Sequence, residues 1–152
     1  MTGGEHEDEG IKDVSQLRFE EGLMQLDLSD NQIVDVSGLT LPPEGPRCLY
    51  LANNQIVDVS GLTLVKGLWR LKLNGNQIVD VSGLTLPGGL TDLNLENNQI
   101  VDVSGLTLVK GLKNLHLQDN QIVDVSCLTL PEGLDFLHLD SNQIVDVSGL
   151  SL

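Results

Sequence analysis

The chain has 152 residues and carries 22 acidic side chains against 8 basic ones, a formal net charge of −14 at neutral pH. So acidic a surface repels phosphate-rich partners, which excludes general binding to nucleic acid or to anionic membrane. Hydrophobic residues make up 40% of the chain and only four are aromatic, so a single core of Leu, Ile and Val is predicted.

Residues 1–10, Met1-Thr-Gly-Gly-Glu-His-Glu-Asp-Glu-Gly10, lack the cationic and apolar regions of an export signal, and no apolar run in the chain approaches membrane-spanning length. They read as an acidic tail, disordered or a thin polar cover, and leave the setting of the protein cytoplasmic or unknown. The pattern changes at residue 11. Ile11-Lys-Asp-Val14-Ser-Gln-Leu17-Arg-Phe19 aligns with Ile33-Val-Asp-Val36-Ser-Gly-Leu39-Thr-Leu41, so residues 11–22 form the back half of a repeat. Six full repeats follow over residues 23–152, each with the words Asn-Gln-Ile-Val-Asp-Val-Ser. These begin at Asn31, Asn54, Asn76, Asn98, Asn120 and Asn142, in steps of 23, 22, 22, 22 and 22 residues. A unit this short cannot bury its own apolar face, so the copies must stack into one solenoid domain over residues 11–152.

The fourth repeat shows the plan. Leu93 and Leu95 alternate with polar neighbours, as in a strand with one buried face. Asn98 then occupies a turn where its amide can serve the backbone of the neighbouring loop, so six copies predict a ladder of satisfied amides. Ile100, Val103 and Leu106 follow at spacings of three, the periodicity of a 3₁₀-like or irregular arc. Pro87 or Gly111 marks the return to the next strand.

The resulting pattern, Leu-x-x-Leu-x-Leu-x-x-Asn-x-Ile, is the leucine-rich-repeat signature. It is complete in copies beginning at Leu23, Leu68, Leu90, Leu112 and Leu134, while the remaining copy has Pro46 in the first leucine position. One extra residue around Pro42-Pro43-Glu44 accounts for the 23-residue step. The repeat length and the phrase Asn-Gln-Ile-Val-Asp-Val-Ser-Gly-Leu further resemble the short repeats of bacterial internalins, with Val in place of their Thr and Gly in place of their Pro. The resemblance implies a curved parallel β-sheet on the concave side and short 3₁₀ or irregular segments on the convex side, with little regular α-helix.

The back segment is nearly constant, and variety gathers on the strand. The third and fifth signature positions, expected to point outward, read Gln25, Cys48, Arg70, Asp92, Asn114, Phe136 and Asp27, Tyr50, Lys72, Asn94, His116, His138. Tyr50, Trp69 and Phe136 lie at or beside these positions, with Arg47, Arg70, Lys72 and Lys113. Tyr, Trp and Arg are the types enriched at interface hot spots. Recognition of a protein or peptide is therefore predicted for the concave face, with Tyr50, Trp69, Arg70 and Lys72 as anchors and Arg47, Lys113, Phe136 and His138 flanking them. The rival reading is a structural or consensus-designed scaffold that meets only its own kind. An uncapped edge at Leu150-Ser-Leu152 predicts a homodimer there or a chain cut short.

Other chemistry is weaker. His116 and His138 occupy equivalent positions in consecutive repeats, but two histidines without a clear third ligand do not make a metal site. Asp35, Asp58, Asp80, Asp102, Asp124 and Asp146 recur with the fold's own period, and each is better placed to cap a local backbone N–H than to hold calcium. Cys48 and Cys127 are too far apart in the stack to pair, so both are expected as free thiols. No phosphate loop, cofactor motif or nucleophile–base set is present, so an enzyme is not predicted.

Overall fold

The computed structural model describes residues 4–150. Six short strands, β1 (Gln25–Asp27), β2 (Cys48–Tyr50), β3 (Arg70–Lys72), β4 (Asp92–Asn94), β5 (Asn114–His116) and β6 (Phe136–His138), form one parallel sheet in chain order. Equivalent residues pair: Leu26, Leu49, Leu71, Leu93, Leu115 and Leu137 stand in one row. The fold is thus the leucine-rich-repeat solenoid that the spacing predicted, with no α-helix among the described residues. The extra residue of the 23-residue step is taken up before β2, so the register is unbroken there.

Alternation explains the strands. In β3 and its neighbours the middle leucine is fully buried while the residues on either side face out. One continuous core of Leu, Ile and Val runs from Val14 to Leu128. Each strand is followed by a residue with positive φ: Asp30, Asn53, Gly75, Asn97, Asp119 and Ser141, at 52° to 71°. Gly, Asn and Asp tolerate this left-handed region best, which accounts for five of the six residues found.

The asparagine that follows is a fully used amide. Asn98 Oδ1 accepts the Ile78 N–H of the preceding repeat at 3.0 Å, and its Nδ2 donates to the carbonyls of Leu73, Leu95 and Glu96. The same set recurs at Asn54, Asn76 and Asn120. Backbone groups that a turn would leave unpaired inside the protein are satisfied this way. The arc behind is a chain of single turns, each closed by one bond such as Leu106 N–H to the Val103 carbonyl. Parallel bridges link Asp13, Asp35, Asp58, Asp80, Asp102 and Asp124 along this convex wall. Each of these carboxylates, like Asp146, accepts the N–H of the serine two residues on, at 2.8–2.9 Å. Hydrogen bonds from that serine, its hydroxyl first at Asp13 and Asp35 and its backbone N–H first at the others, hold every one of them below the usual aspartate range.

The two ends differ from the sequence reading in an instructive way. Residues 4–9, expected in the acidic tail, lie along the outer edge of β1; Met1–Gly3 are outside the described residues. Glu5 bridges Asp27, the His6 N–H donates to the Asp27 carbonyl, and Asn31 serves the Glu9 and Ile11 amides. Counting back 22 residues, His6 stands in the place of Leu28 and Glu9 in that of Asn31. His6 is buried against Phe19 and lies 3.4 Å from the Glu9 carboxylate. A strand edge offers unpaired N–H and C=O groups, and these residues find partners there whatever their side chains. At the other end, Leu137, Leu139 and Ile144 are only partly buried. Of Leu150–Leu152, where an uncapped edge is expected, only Leu150 falls within the described residues.

Candidate binding face

The concave sheet gathers Tyr50, Arg70 and Lys72 on the adjacent strands β2 and β3. Lys72 Nζ lies 5.4 Å from the centre of the Tyr50 ring, within range of a cation–π attraction. The Tyr50 phenol is pushed up from its ordinary pKa, first by burial, while a hydrogen bond from Arg70 pulls the other way. The same bond raises the Arg70 guanidinium further. Register sets Arg70 beside Asp92 of β4. The Asp92 carboxylate also accepts from Asn114 Nδ2 at 2.8 Å and from the Thr91 hydroxyl at 2.7 Å. A shallow open depression of about 350 Å³ lies over these strands, lined by Arg70, Lys72, Asp92, Asn94 and His116 among others.

The remaining candidates are placed differently. Trp69 is 53% exposed on the rim where the chain enters β3, its indole N–H 3.2 Å from the Cys48 sulfur. This contact was not legible in the repeat pattern, because it joins the second signature position to the third of the preceding copy. Arg47 and Lys113 also lie on that entry rim, and their tips turn to the next repeat: Arg47 donates to the Gly67 carbonyl at 3.2 Å and Lys113 to the Gly133 carbonyl at 2.9 Å. A Cβ on Gly67 would collide with the Arg47 guanidinium, so the glycine is what admits it. Phe136, 60% exposed, and His138 lie on β6, three strands from Lys72. The eight residues therefore form a central group of Tyr50, Arg70 and Lys72, a rim trio of Trp69, Arg47 and Lys113, and a distal pair.

His116 and His138 stack with ring centres 4.7 Å apart and planes within 5°. Burial, and then the neighbouring His138, hold the His116 pKa below its ordinary value, so its imidazole is neutral at pH 7. A zinc ion about 2 Å from each donor needs converging nitrogens, which two parallel rings do not offer. Among the described residues no group of three or more His, Cys, Asp or Glu is arranged for a metal. Both cysteines are free thiols, Cys48 half-buried and Cys127 exposed. No helix among the described residues is long and apolar enough to cross a membrane.

No family model and no curated protein matches the chain. Solved structures do. Internalin C2 of Listeria monocytogenes superposes with a TM-score of 0.78 at 33% identity, over 99% of this chain and 66% of that one. An internalin of the same organism, inlF, gives 0.67 at 27% identity, over 93% of this chain and 48% of that one. The functional domain of InlJ from L. monocytogenes, which includes a cysteine ladder, gives 0.53 at 23% identity over 84% of this chain and 28% of that one, a likeness of fold alone. The chain spans under two thirds of the length of each.

Proposed function

Because this chain is a leucine-rich-repeat protein with 22-residue repeats of the internalin type, we propose that it is a recognition scaffold that binds a protein or peptide on its concave face. The observation that carries this reading is the cluster of Arg70, Lys72, Asp92 and His116 around one open depression, with the Tyr50 ring beside it under the Lys72 ammonium. The sheet beneath is rigid and paired at every row, so few side chains lose freedom on binding. Tyr50 and Trp69 are the anchors, Arg70 and Lys72 supply charged hydrogen bonds, and Arg47, Lys113, Phe136 and His138 bound the surface. A shallow sheet excludes little water, and the Cys48 sulfur already accepts the indole N–H, so binding rather than catalysis suits the site.

The test is capture of partners with the wild-type chain and with a Tyr50→Ala/Trp69→Ala variant of matched melting temperature. A partner held at least about tenfold less tightly by the variant supports the reading. A bound set unchanged by the double substitution places recognition elsewhere. The second reading, self-association through the last repeat, is favoured by the open edge of β6 and the half-buried Leu137, Leu139 and Ile144. The carboxylates Glu132, Asp135, Asp140 and Asp146 on the same repeat oppose it, and mass in solution decides between the two.

A further inference from the structure

The charge of this molecule is distributed unevenly around its cross-section. Six of its eight lysines and arginines fall between residues 47 and 113. Five of them, Arg47, Lys66, Arg70, Lys110 and Lys113, gather where the chain enters the strands, and all five are exposed. Over the same stretch the acidic residues are Asp58, Asp80, Asp92, Glu96 and Asp102. Three of these sit on the convex wall across the core, and Asp92 is engaged by Asn114 and Thr91. Glu44, in the loop that enters β2, is the one further carboxylate on this side of the same repeats, so five cations face Glu44 and the engaged Asp92. At physiological salt, screening over about 8 Å leaves the rim under the field of that cationic excess, although the whole chain is acidic.

The rim is also shaped to receive a chain. Its backbone bonds to Gly67 and Gly133 fix the tips of Arg47 and Lys113, so those charges are held in place before any partner arrives. Between Lys66 and Lys110 the loop is Gly88-Gly89, with open space where a Gly88 side chain would stand. Trp69 lies exposed in the same row. From the Arg47 repeat to the Lys113 repeat is three strand spacings, about 14 Å, the reach of some four to five extended residues.

We propose that this rim seats an acidic, extended peptide segment of the partner, its carboxylates on Lys66, Arg70 and Lys110 and one apolar side chain on Trp69. The proposal rests on the concave-face reading and names the chemistry of the partner. A single-stranded nucleic acid offers the same negative charge with rings to stack, but it carries its charge on every unit. It therefore feels the repulsion of the acidic ends, Glu20, Glu21, Glu132 and Asp135, more than a short peptide does.

Trp69 is the sole tryptophan and reports directly. An eight-residue Glu-rich peptide with one central Phe is expected to change its emission saturably, and to bind about tenfold more weakly to Lys66→Glu/Lys110→Glu. Both lysines are exposed, and circular dichroism verifies that the variant is folded. Failure to saturate by about 1 mM, equal binding of a Lys-rich counterpart, or tighter binding of a single-stranded oligonucleotide overturns the proposal. A captured partner that depends on Tyr50 and Trp69 but ignores the lysine reversal overturns this proposal and leaves the concave-face reading standing. One that depends on the lysines but not on Tyr50 does the opposite.

Discussion

The fourth and sixth repeats share the words from Asn-Gln-Ile to Gly-Leu, yet Ile100 is fully buried where Ile144 is only partly so, and Val101 is 44% exposed where Val145 is 90% exposed. Leu93 and Leu95 are likewise fully buried, while Leu137 and Leu139 are not. Identical sequence in two environments separates what a repeat encodes from what its neighbour supplies. Strand, turn and cap form in both. Burial of the apolar side chains on the outer side requires a further layer, and apolar burial is the term that scales with area removed from water.

That contrast can be tested position by position. Leu93→Ala should cost about 3–4 kcal/mol, whereas Leu137→Ala should cost about 1 kcal/mol, read from urea midpoints by circular dichroism. Equal costs would mean that the last repeat is packed as tightly as the fourth. Next come the asparagines. Asn98→Ala strips the Ile78 amide and three carbonyls of a partner inside the stack, for about 2–3 kcal/mol. Asn142→Ala removes the same bonds where water has access, for under about 1 kcal/mol.

The smallest effect should be blind to position. Each convex aspartate, Asp146 included, is fully exposed and has its pKa depressed by the serine two residues on. A depressed carboxylate stabilises the fold above its unfolded pKa of about 3.9, and that contribution is lost as pH falls through the lower folded value. The melting temperature should therefore hold from neutral pH to about 4.5 and decline below about 4. Asp102→Asn and Asp146→Asn should flatten this acid limb by the same small amount. A larger effect from Asp102 would show that the caps also act between repeats.

The sequence was informative where the signal repeats and mute where it does not. Six asparagines gave the register, and from it the strands, the inward leucines and the outward rows. His6 went unseen because it offers neither leucine nor asparagine at its positions, and only a backbone edge requires it to be there. Tyr50, Arg70 and Lys72 follow from counting, since strand residues of one row must be neighbours. The tips of Arg47 and Lys113 do not, because a repeat fixes where a long side chain starts and the next loop decides where it ends.

The second copy holds one residue more than the others between Leu41 and Pro46, and Leu26 nevertheless stays opposite Leu49. The entry loop thus works as an expansion joint: length added there is absorbed before the strand is laid down, whereas one residue added inside a strand would turn its leucines to water. Such joints line the same rim as Trp69 and the lysines. New loops can be spliced beside the candidate surface without disturbing the masonry behind it.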